Sequence, residues 1–155
     1  MTLLDLRDEP YDGPTAQILI AEIQQEYVVR YGGPDTTPVD VREFAPPRGR
    51  FLVGYLGVQP VAMGGIRLIA GDVAEIKRMY VVPTARGQGI ARDLLARLEQ
   101  LGRDLGATRV VLETGRKQPE AMRLYESSGY TRIDGFGHYR DEPASVSYGK
   151  QLSPQ

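Results

Sequence analysis

The sequence predicts an α/β (α+β) fold, with one domain over residues 1–155 and a mixed, mostly antiparallel sheet of about seven strands flanked by helices. Three observations support this prediction. The chain has 155 residues, of which 41% are hydrophobic and 25% are charged, as in ordinary globular domains. Short apolar runs bounded by glycine and proline alternate with segments of helical period. Two strand–helix–strand units predict parallel crossovers, whereas the short connections predict antiparallel hairpins.

The first third of the chain predicts a strand, a helix and an ordered loop. Leu3–Leu6 is a short apolar strand, followed by proline and glycine. Pro14–Tyr31 carries apolar residues at helical spacing, and Gly32–Pro34 provides the stop signal. Residues 34–49 contain four prolines and no sustained period, apart from a possible helical turn around Val39–Phe44. They are expected to form an ordered loop, and such loops often border a site.

The central segment predicts three consecutive antiparallel strands. Phe51–Tyr55 and Val61–Ile69 are apolar runs joined by a turn at Gly57–Pro60. A second turn, at Gly71 and Asp72, leads into the run Ala74–Val82.

The last part of the chain predicts two helices and three strands. Apolar residues from Ile90 to Leu105 are spaced by four, four, three and four residues, which predicts a continuous stripe on a helix ending near Gly106. The other predicted elements are a strand at Arg109–Glu113, a helix at Pro119–Ser128 with proline near its start and glycine beyond its end, and closing strands at Tyr130–Ile133 and Val146–Tyr148.

Composition excludes several classes of chemistry. The chain has no cysteine, so disulfides, thiolate nucleophiles and cysteine zinc sites are excluded. His138 is the one histidine, so a metal enzyme is not expected. This histidine is expected to be a loop residue and not a catalyst. A net charge of -1 gives no field that favours nucleic acid. No apolar run reaches the length of a membrane helix, and Met1–Pro10 lacks a signal-peptide core, so a cytoplasmic protein without a membrane partner is expected.

A glycine-rich turn joins the predicted strand Ala74–Val82 to the helix that starts near Ile90. The stretch reads EIKRMYVVPTARGQGIARDLL, with two glycines and flanking arginines at the junction. Because a helix start presents unpaired amides and glycine lets a ligand approach the backbone, this unit is suited to bind phosphate. It lacks the endings of a P-loop and of a dinucleotide fingerprint. A plain tight turn with a helix cap is the alternative, and Arg86 and Arg92 favour the anion site.

Two motifs resemble the GNAT superfamily of acetyl-CoA-dependent N-acetyltransferases. RGQGIA, residues 86–91, resembles the loop that binds the pyrophosphate of acyl-CoA, and QPEAMRLYESSGY, residues 118–130, resembles the downstream helix that bears Leu-Tyr. The resemblance extends from about Phe51 to Leu152 and implies a GNAT-like fold, acetyl-CoA as co-substrate and no metal. It implies that the cofactor-binding residues are Met79, Tyr80, Val81, Arg86, Gly87, Gln88, Gly89, Ile90, Ala91 and Gln118. At the last position the family often has asparagine instead of glutamine.

The resemblance also implies catalytic roles for two residues. Tyr125 takes the place of the tyrosine that protonates the departing thiolate, with a core aromatic as the alternative. Glu75 matches a glutamate that acts as general base in some members, with an ion pair to Lys77 or Arg67, or deprotonation through water, as alternatives. The backbone of residues 79–81 is expected to serve the oxyanion and the pantetheine, in a gap between this strand and Arg109–Glu113.

The acceptor is less well determined by the sequence. Arg67 and Tyr31 are the candidate substrate-binding residues, and basic groups near one glutamate suit a small amine that also bears a carboxylate, such as an amino acid. A solvated strand face is the alternative for those basic groups. A protein or peptide acceptor and a non-catalytic acyl-CoA-binding module also stay open, as does the oligomeric state, with a homodimer as one arrangement.

Overall fold

A computed structural model of the protein describes residues 3–154 and contains one seven-stranded mixed sheet with helices on both faces. The strands are β1 (Leu4–Asp8), β2 (Gly49–Leu56), β3 (Gln59–Ala70), β4 (Val73–Val81), β5 (Arg109–Gly115), β6 (Thr131–Ile133) and β7 (Ser145–Gln151). The α-helices are α1 (Pro14–Tyr31), α2 (Ile90–Asp104) and α3 (Pro119–Ser127), and short 3₁₀ turns cover Val41–Phe44 and Pro83–Ala85. The predicted fold class is confirmed.

The sheet has the order β1-β2-β3-β4-β5-β7-β6. The crossover through α2 joins β4 and β5 as parallel neighbours. The crossover through α3 joins β5 and β6, which run in the same direction but are separated by β7. A helix also joins β1 and β2, yet these strands pair antiparallel, because the long segment 32–48 returns the chain to the end where β2 begins.

The core is divided between the two faces of the sheet. Along β2, Phe51 and Val53 face one cluster and Leu52 faces the other, as expected from the alternation of a strand. Helix α1 packs on the first face through Leu19 and Ile23, whereas α2 packs its leucine stripe on the second. The predicted stripe of α2 is therefore the buried face of that helix.

Two irregularities in β4 open the sheet. At Arg78, which has a φ of 60°, the register with β3 shifts between the pairs Met63–Tyr80 and Gly65–Lys77, which marks a β-bulge. On the other edge, β4 pairs with β5 only along Val73–Ile76. Beyond Ile76 the two strands separate, and the second half of β4 has an unpaired edge toward β5.

Candidate active site

The loop between β4 and α2 has the backbone geometry of an anion site. Gly87 and Gly89 have φ angles of 81° and 83°, a region that glycine enters without strain. Gly89 is the N-cap of α2, and its side-chain position has no atom within 4 Å. Within the described part of the chain, no backbone acceptor is found for the amides of residues 87–92. These amides and the positive end of the helix dipole all favour a bound anion.

A cavity of about 290 Å³ lies against this loop. Every cofactor-binding residue predicted from the sequence lies in its wall except Gln88: Met79, Tyr80, Val81, Arg86, Gly87, Gly89, Ile90, Ala91 and Gln118. Gln88 is exposed and lies outside this wall. Arg92 also lines the cavity.

The two arginines of the loop are held by different partners. Arg86 donates through Nε to the carbonyl of Val81 at 2.9 Å, and its Nη2 lies 2.9 Å from a carboxylate oxygen of Glu26. Arg92 donates to the hydroxyls of Ser127 and Ser128. Since the Arg86–Glu26 pair is partly exposed, it is a weak interaction.

The separation of β4 from β5 leaves backbone groups of β4 available beside the loop. The amide of Val82 donates to Val61 of β3 at 2.9 Å. Because amide directions alternate along a strand, the amide of the preceding Val81 points to the opposite edge, toward the gap. Residues 109–112 of β5 are paired with β4, so the gap lies opposite residues 113–115 and not along the whole predicted strand Arg109–Glu113.

A second cavity of about 470 Å³ begins where the first one ends. Both cavities have Met79, Gln118, Ala121 and Tyr125 in their walls. The second cavity is bounded by the end of α1, the segment 33–36, the separated parts of β4 and β5, and residues 139–145. A long ligand held at the glycine loop would therefore reach the second cavity past Tyr125.

Tyr125 is buried, with 7% of its surface exposed, in the wall shared by the cavities. Its ring packs against Tyr130 and Tyr148 at centroid distances of 5.8 and 6.0 Å. No side-chain partner of its hydroxyl is found among residues 3–154. Burial raises the pKa of Tyr125 to about 12, so the phenol is protonated at neutral pH.

Glu75 and Arg67 form a buried ion pair. Both Nε and Nη2 of Arg67 donate to one carboxylate oxygen of Glu75, at 3.1 and 2.9 Å, and Nη1 lies 3.3 Å from Glu43. Glu75 is in the wall of the second cavity, but Arg67 is not. Arg67 is 7% exposed and its donors are directed to two glutamates, an arrangement that does not favour the expected contact with an acceptor; that contact stays a prediction.

The two cations of β4, Lys77 and Arg78, converge on Asp35. Lys77 Nζ lies 3.0 Å from a carboxylate oxygen of Asp35, and Arg78 is paired to the same oxygen. Although burial alone raises the pKa of Asp35, the charges of Lys77 and Arg78 hold it below its usual range. Lys77 thus pairs with Asp35 and not with Glu75, and the segment after α1 is fixed to the bulge of β4.

Tyr31, the other predicted substrate-binding residue, lies in the wall of the second cavity, and its role stays a prediction. Its hydroxyl lies 3.3 Å from Oε1 of Gln118, the residue that also lines the first cavity. A side chain at Gly115 would lie 1.7 Å from this hydroxyl, so glycine at the end of β5 makes room for the tyrosine.

Two loops meet over the second cavity. The amide of Thr36 donates to the hydroxyl of Tyr139 at 2.7 Å, and Oγ1 of Thr36 lies 2.9 Å from Nε2 of His138. His138 is therefore a loop residue that contributes to this contact. Thr36 and Tyr139 both lie in the wall of the cavity, so the contact joins two segments at its border.

Sequence reasoning missed three charged groups of the second cavity, which are Glu113, Lys117 and the exposed Glu142. Glu113 ends the predicted strand Arg109–Glu113, and a carboxylate at the end of an otherwise apolar strand is the signal that could have identified it. Lys117 is exposed and has no ion-pair partner among the described residues. Its Nζ lies 5.8 Å from the centroid of the Tyr31 ring.

In residues 3–154, no helix is both long and apolar enough to cross a membrane. Over the same range, no group of three or more His, Cys, Asp or Glu side chains is placed to hold a metal ion.

Fold and site together define a class of protein. A ligand with phosphates at one end and a reactive group at the other fits the two joined cavities, as in enzymes that transfer an acyl group from coenzyme A. The model of the Acetyltransferase (GNAT) family matches residues 19–130. The chain belongs to this family and is an acyl-CoA N-acyltransferase.

Relatives and solved structures agree with this assignment. The IAA acetyltransferase of Azospirillum brasilense is 35% identical over 147 residues, which cover 94% of this chain and 95% of that protein. The uncharacterized N-acetyltransferase YjgM of Escherichia coli is 36% identical over 92 residues, or 57% of this chain and 54% of that protein. A Klebsiella pneumoniae structure provisionally called an acyl-CoA N-acyltransferase has a TM-score of 0.83 and 28% identity, covering 97% of this chain and 99% of that one. An Elizabethkingia anophelis GNAT structure with acetyl-CoA bound has the same fold, with a TM-score of 0.69, 14% identity and coverage of 96% and 98%.

Proposed function

We propose that this protein transfers an acetyl group from acetyl-CoA to a primary amine of a small molecule, an amino acid or a related metabolite. The observation that carries the proposal is the junction of the two cavities at Tyr125. One cavity ends in an anion site, and the other is large enough for a small acceptor. The reacting carbon would lie between them.

Acetyl-CoA would bind along the first cavity. Its pyrophosphate would accept hydrogen bonds from the amides of residues 87–92 and replace Glu26 as a partner of Arg86. Its pantetheine arm would enter the gap between β4 and β5 and contact the Val81 amide and Gln118. The thioester would then lie beside Tyr125.

Transfer would proceed by direct attack of the acceptor nitrogen on the thioester carbon. The carbonyl π electrons move to oxygen, and a backbone amide at the β4 edge stabilises the resulting oxyanion. When the intermediate collapses, the C–S bond breaks and Tyr125 donates its proton to the thiolate. The raised pKa of Tyr125 keeps this proton in place at neutral pH.

The walls of the second cavity favour a small acceptor over a peptide. The contact of Thr36 with Tyr139 and His138 joins the two loops that border the cavity. A peptide that crosses the site needs an open groove there, whereas a small molecule does not. A peptide acceptor would require these hydrogen bonds to break.

Lys117 is the cation that we propose for recognition of an acceptor carboxylate. Arg67, Lys77 and Arg78 are each paired with a carboxylate of the protein. Lys117 lies in the cavity wall, is exposed, and has no such pair within residues 3–154. An amino acid could place its amine near Tyr125 and its carboxylate near Lys117.

Acetyl-CoA is expected to raise the melting temperature and to support thiol release with an amine. A ligand that binds only the folded state at about 100 times its Kd adds roughly 2.7 kcal/mol of stability. The measurements are a thermal shift and a thiol assay with L-amino acids, their amides, spermidine and a lysine tripeptide. Absence of a thermal shift at millimolar acetyl-CoA would contradict the proposed co-substrate, and highest turnover with the tripeptide would contradict the small acceptor.

The Lys117→Ala variant is expected to lose any preference for amino acids over their amides, mainly through a higher acceptor KM. An exposed charge contact is worth up to about 1 kcal/mol, so the expected rise in KM is about two- to fivefold. Arg116→Ala is the matched control, because Arg116 is an exposed neighbour that donates to the carbonyl of Pro143 and lies outside the cavity wall. Equal KM changes in the two variants would remove the specific role of Lys117.

A further inference from the structure

We propose that Glu113 is the general base that removes a proton from the acceptor's ammonium group, and that Glu75 is a positioning residue that acts on Glu113. This inference rests on the proposed amine acetylation. It replaces the expected role of Glu75, which the ion pair with Arg67 disfavours.

The position of Glu113 follows from the register of the two parallel strands. Glu75 pairs with Val111, and Ile76 pairs with Leu112 as the last matched residues before the strands separate. Glu113 is the next residue of β5, at the point where the gap opens. Because side chains alternate between faces, Glu113 lies on the same face as Val111 and therefore as Glu75. Its carboxyl borders the cavity that also contains Tyr125.

Among the carboxyl groups in the wall of this cavity, Glu113 is the half-buried one for which no ion pair is found within residues 3–154. Asp35 is paired with Lys77 and Arg78, and Glu75 is paired with Arg67. Glu142 is exposed and accepts a hydrogen bond from a backbone amide. Within residues 3–154, the one hydrogen bond found for the Glu113 carboxyl is from Oγ of Ser145, at 3.4 Å. A carboxylate that no cation holds can accept a proton and release it.

The surroundings of Glu113 raise its pKa toward the value that suits a general base. Burial raises its pKa to about 7, and the negative charge of Glu75 acts in the same direction. Lys77 opposes this effect, whereas Asp35 supports it. Arg78 faces Asp35, and Glu142 and Lys117 are exposed residues of the cavity wall. A base with a pKa near 7 is well matched to catalysis at neutral pH.

The proton balance is complete with the groups that are present. An ammonium group gives its first proton to Glu113, which later releases it to water, and the neutral nitrogen then attacks the thioester carbon. After the C–N bond forms, the nitrogen loses a second proton. Tyr125 gives its own proton to the departing sulfur. The second proton from nitrogen then reaches Tyr125 through solvent and restores the phenol. The products are the amide, the thiol of CoA and one proton.

The first test needs no acceptor and is therefore independent of the proposed function. In protein labelled with ¹³C at the glutamate carboxyl, the Glu113 resonance, assigned from its absence in Glu113→Gln, is expected to titrate near pH 7. In Glu75→Gln the loss of a neighbouring negative charge should move this titration to lower pH. Titration of Glu113 in the ordinary glutamate range, or no change in Glu75→Gln, would overturn the proposed coupling.

The second test is kinetic and uses the amine with the highest kcat/KM in the panel. Wild-type kcat/KM should rise with pH to a plateau above about 7, because the base must be deprotonated. Glu113→Gln should lose at least tenfold at pH 7, lose this inflection, and recover at high pH as neutral amine becomes abundant. Glu75→Gln should keep the inflection but at lower pH, and Glu113→Asp should restore part of the rate.

Two results would overturn the assignment. A wild-type profile in Glu113→Gln would remove its role as base. Loss of the inflection in Glu75→Gln would assign the base to Glu75 or to both residues together. Thermal shifts with acetyl-CoA on every variant show whether the fold and the first cavity are intact. A failure of the proposed co-substrate is therefore distinguished from a failure of the proposed base.

Discussion

The Tyr125→Phe variant is expected to lower kcat by about 10²- to 10⁴-fold while acetyl-CoA affinity stays nearly unchanged. The substitution removes the proton donor but keeps the ring that packs against Tyr130 and Tyr148. Without this donor the sulfur departs as a thiolate, unless water enters the site, which would bring the loss to the lower end of the range. The measurement is single-turnover thiol release, with acetyl-CoA affinity determined in parallel.

Tyr130→Phe is the matched control for this prediction. It removes a hydroxyl from the same aromatic cluster, but that hydroxyl donates to Glu99 at 2.8 Å and lies outside both cavities. The control is expected to lower the free energy of unfolding by about 1 to 3 kcal/mol and to leave kcat unaltered. If Tyr125→Phe also keeps wild-type turnover with chemistry rate-limiting, the tyrosine is a packing residue.

The Gly89→Asp variant is expected to weaken acetyl-CoA binding by about ten- to a hundredfold. The side-chain position of Gly89 is open, so no clash is expected, but a carboxylate at the N-cap of α2 would repel the pyrophosphate and compete for the free amides. A loss of about 1.4 to 2.8 kcal/mol corresponds to these factors. Isothermal titration with acetyl-CoA measures the change directly.

Gly89→Asn separates charge from backbone strain. Asn and Asp both tolerate the positive φ of this position, and they differ mainly in charge. We expect Gly89→Asn to bind acetyl-CoA several-fold more tightly than Gly89→Asp, with a difference that shrinks at high salt. Equal affinities of the two variants would mean that no anion binds at this helix end.

The sequence predicted the parts of the protein that depend on neighbouring residues. The bounds of α1 follow from the proline at its start and the glycines after its end, and the predicted range Pro14–Tyr31 is the observed one. The stripe of α2 follows from its spacing, and the anion loop follows from glycines at positions with positive φ. In each case the determining interactions lie within a few residues of the chain, so the pattern is visible in the sequence.

Only the tertiary structure decided how the charged groups of the site are used. The sequence offered Lys77 and Arg67 as partners of Glu75, and the antiparallel register of β3 and β4, which pairs Arg67 with Glu75, selects the arginine. Whether Glu113 forms an ion pair depends on where β4 separates from β5. Lys77, a cation of β4, pairs with Asp35 and not with Glu113. Burial and pairing of a charge arise from strands that are distant in sequence, and Coulomb interactions act between whichever groups the fold brings together. For this reason the sequence identified the family and predicted the co-substrate loop, whereas the distribution of charge in the second cavity required the assembled sheet.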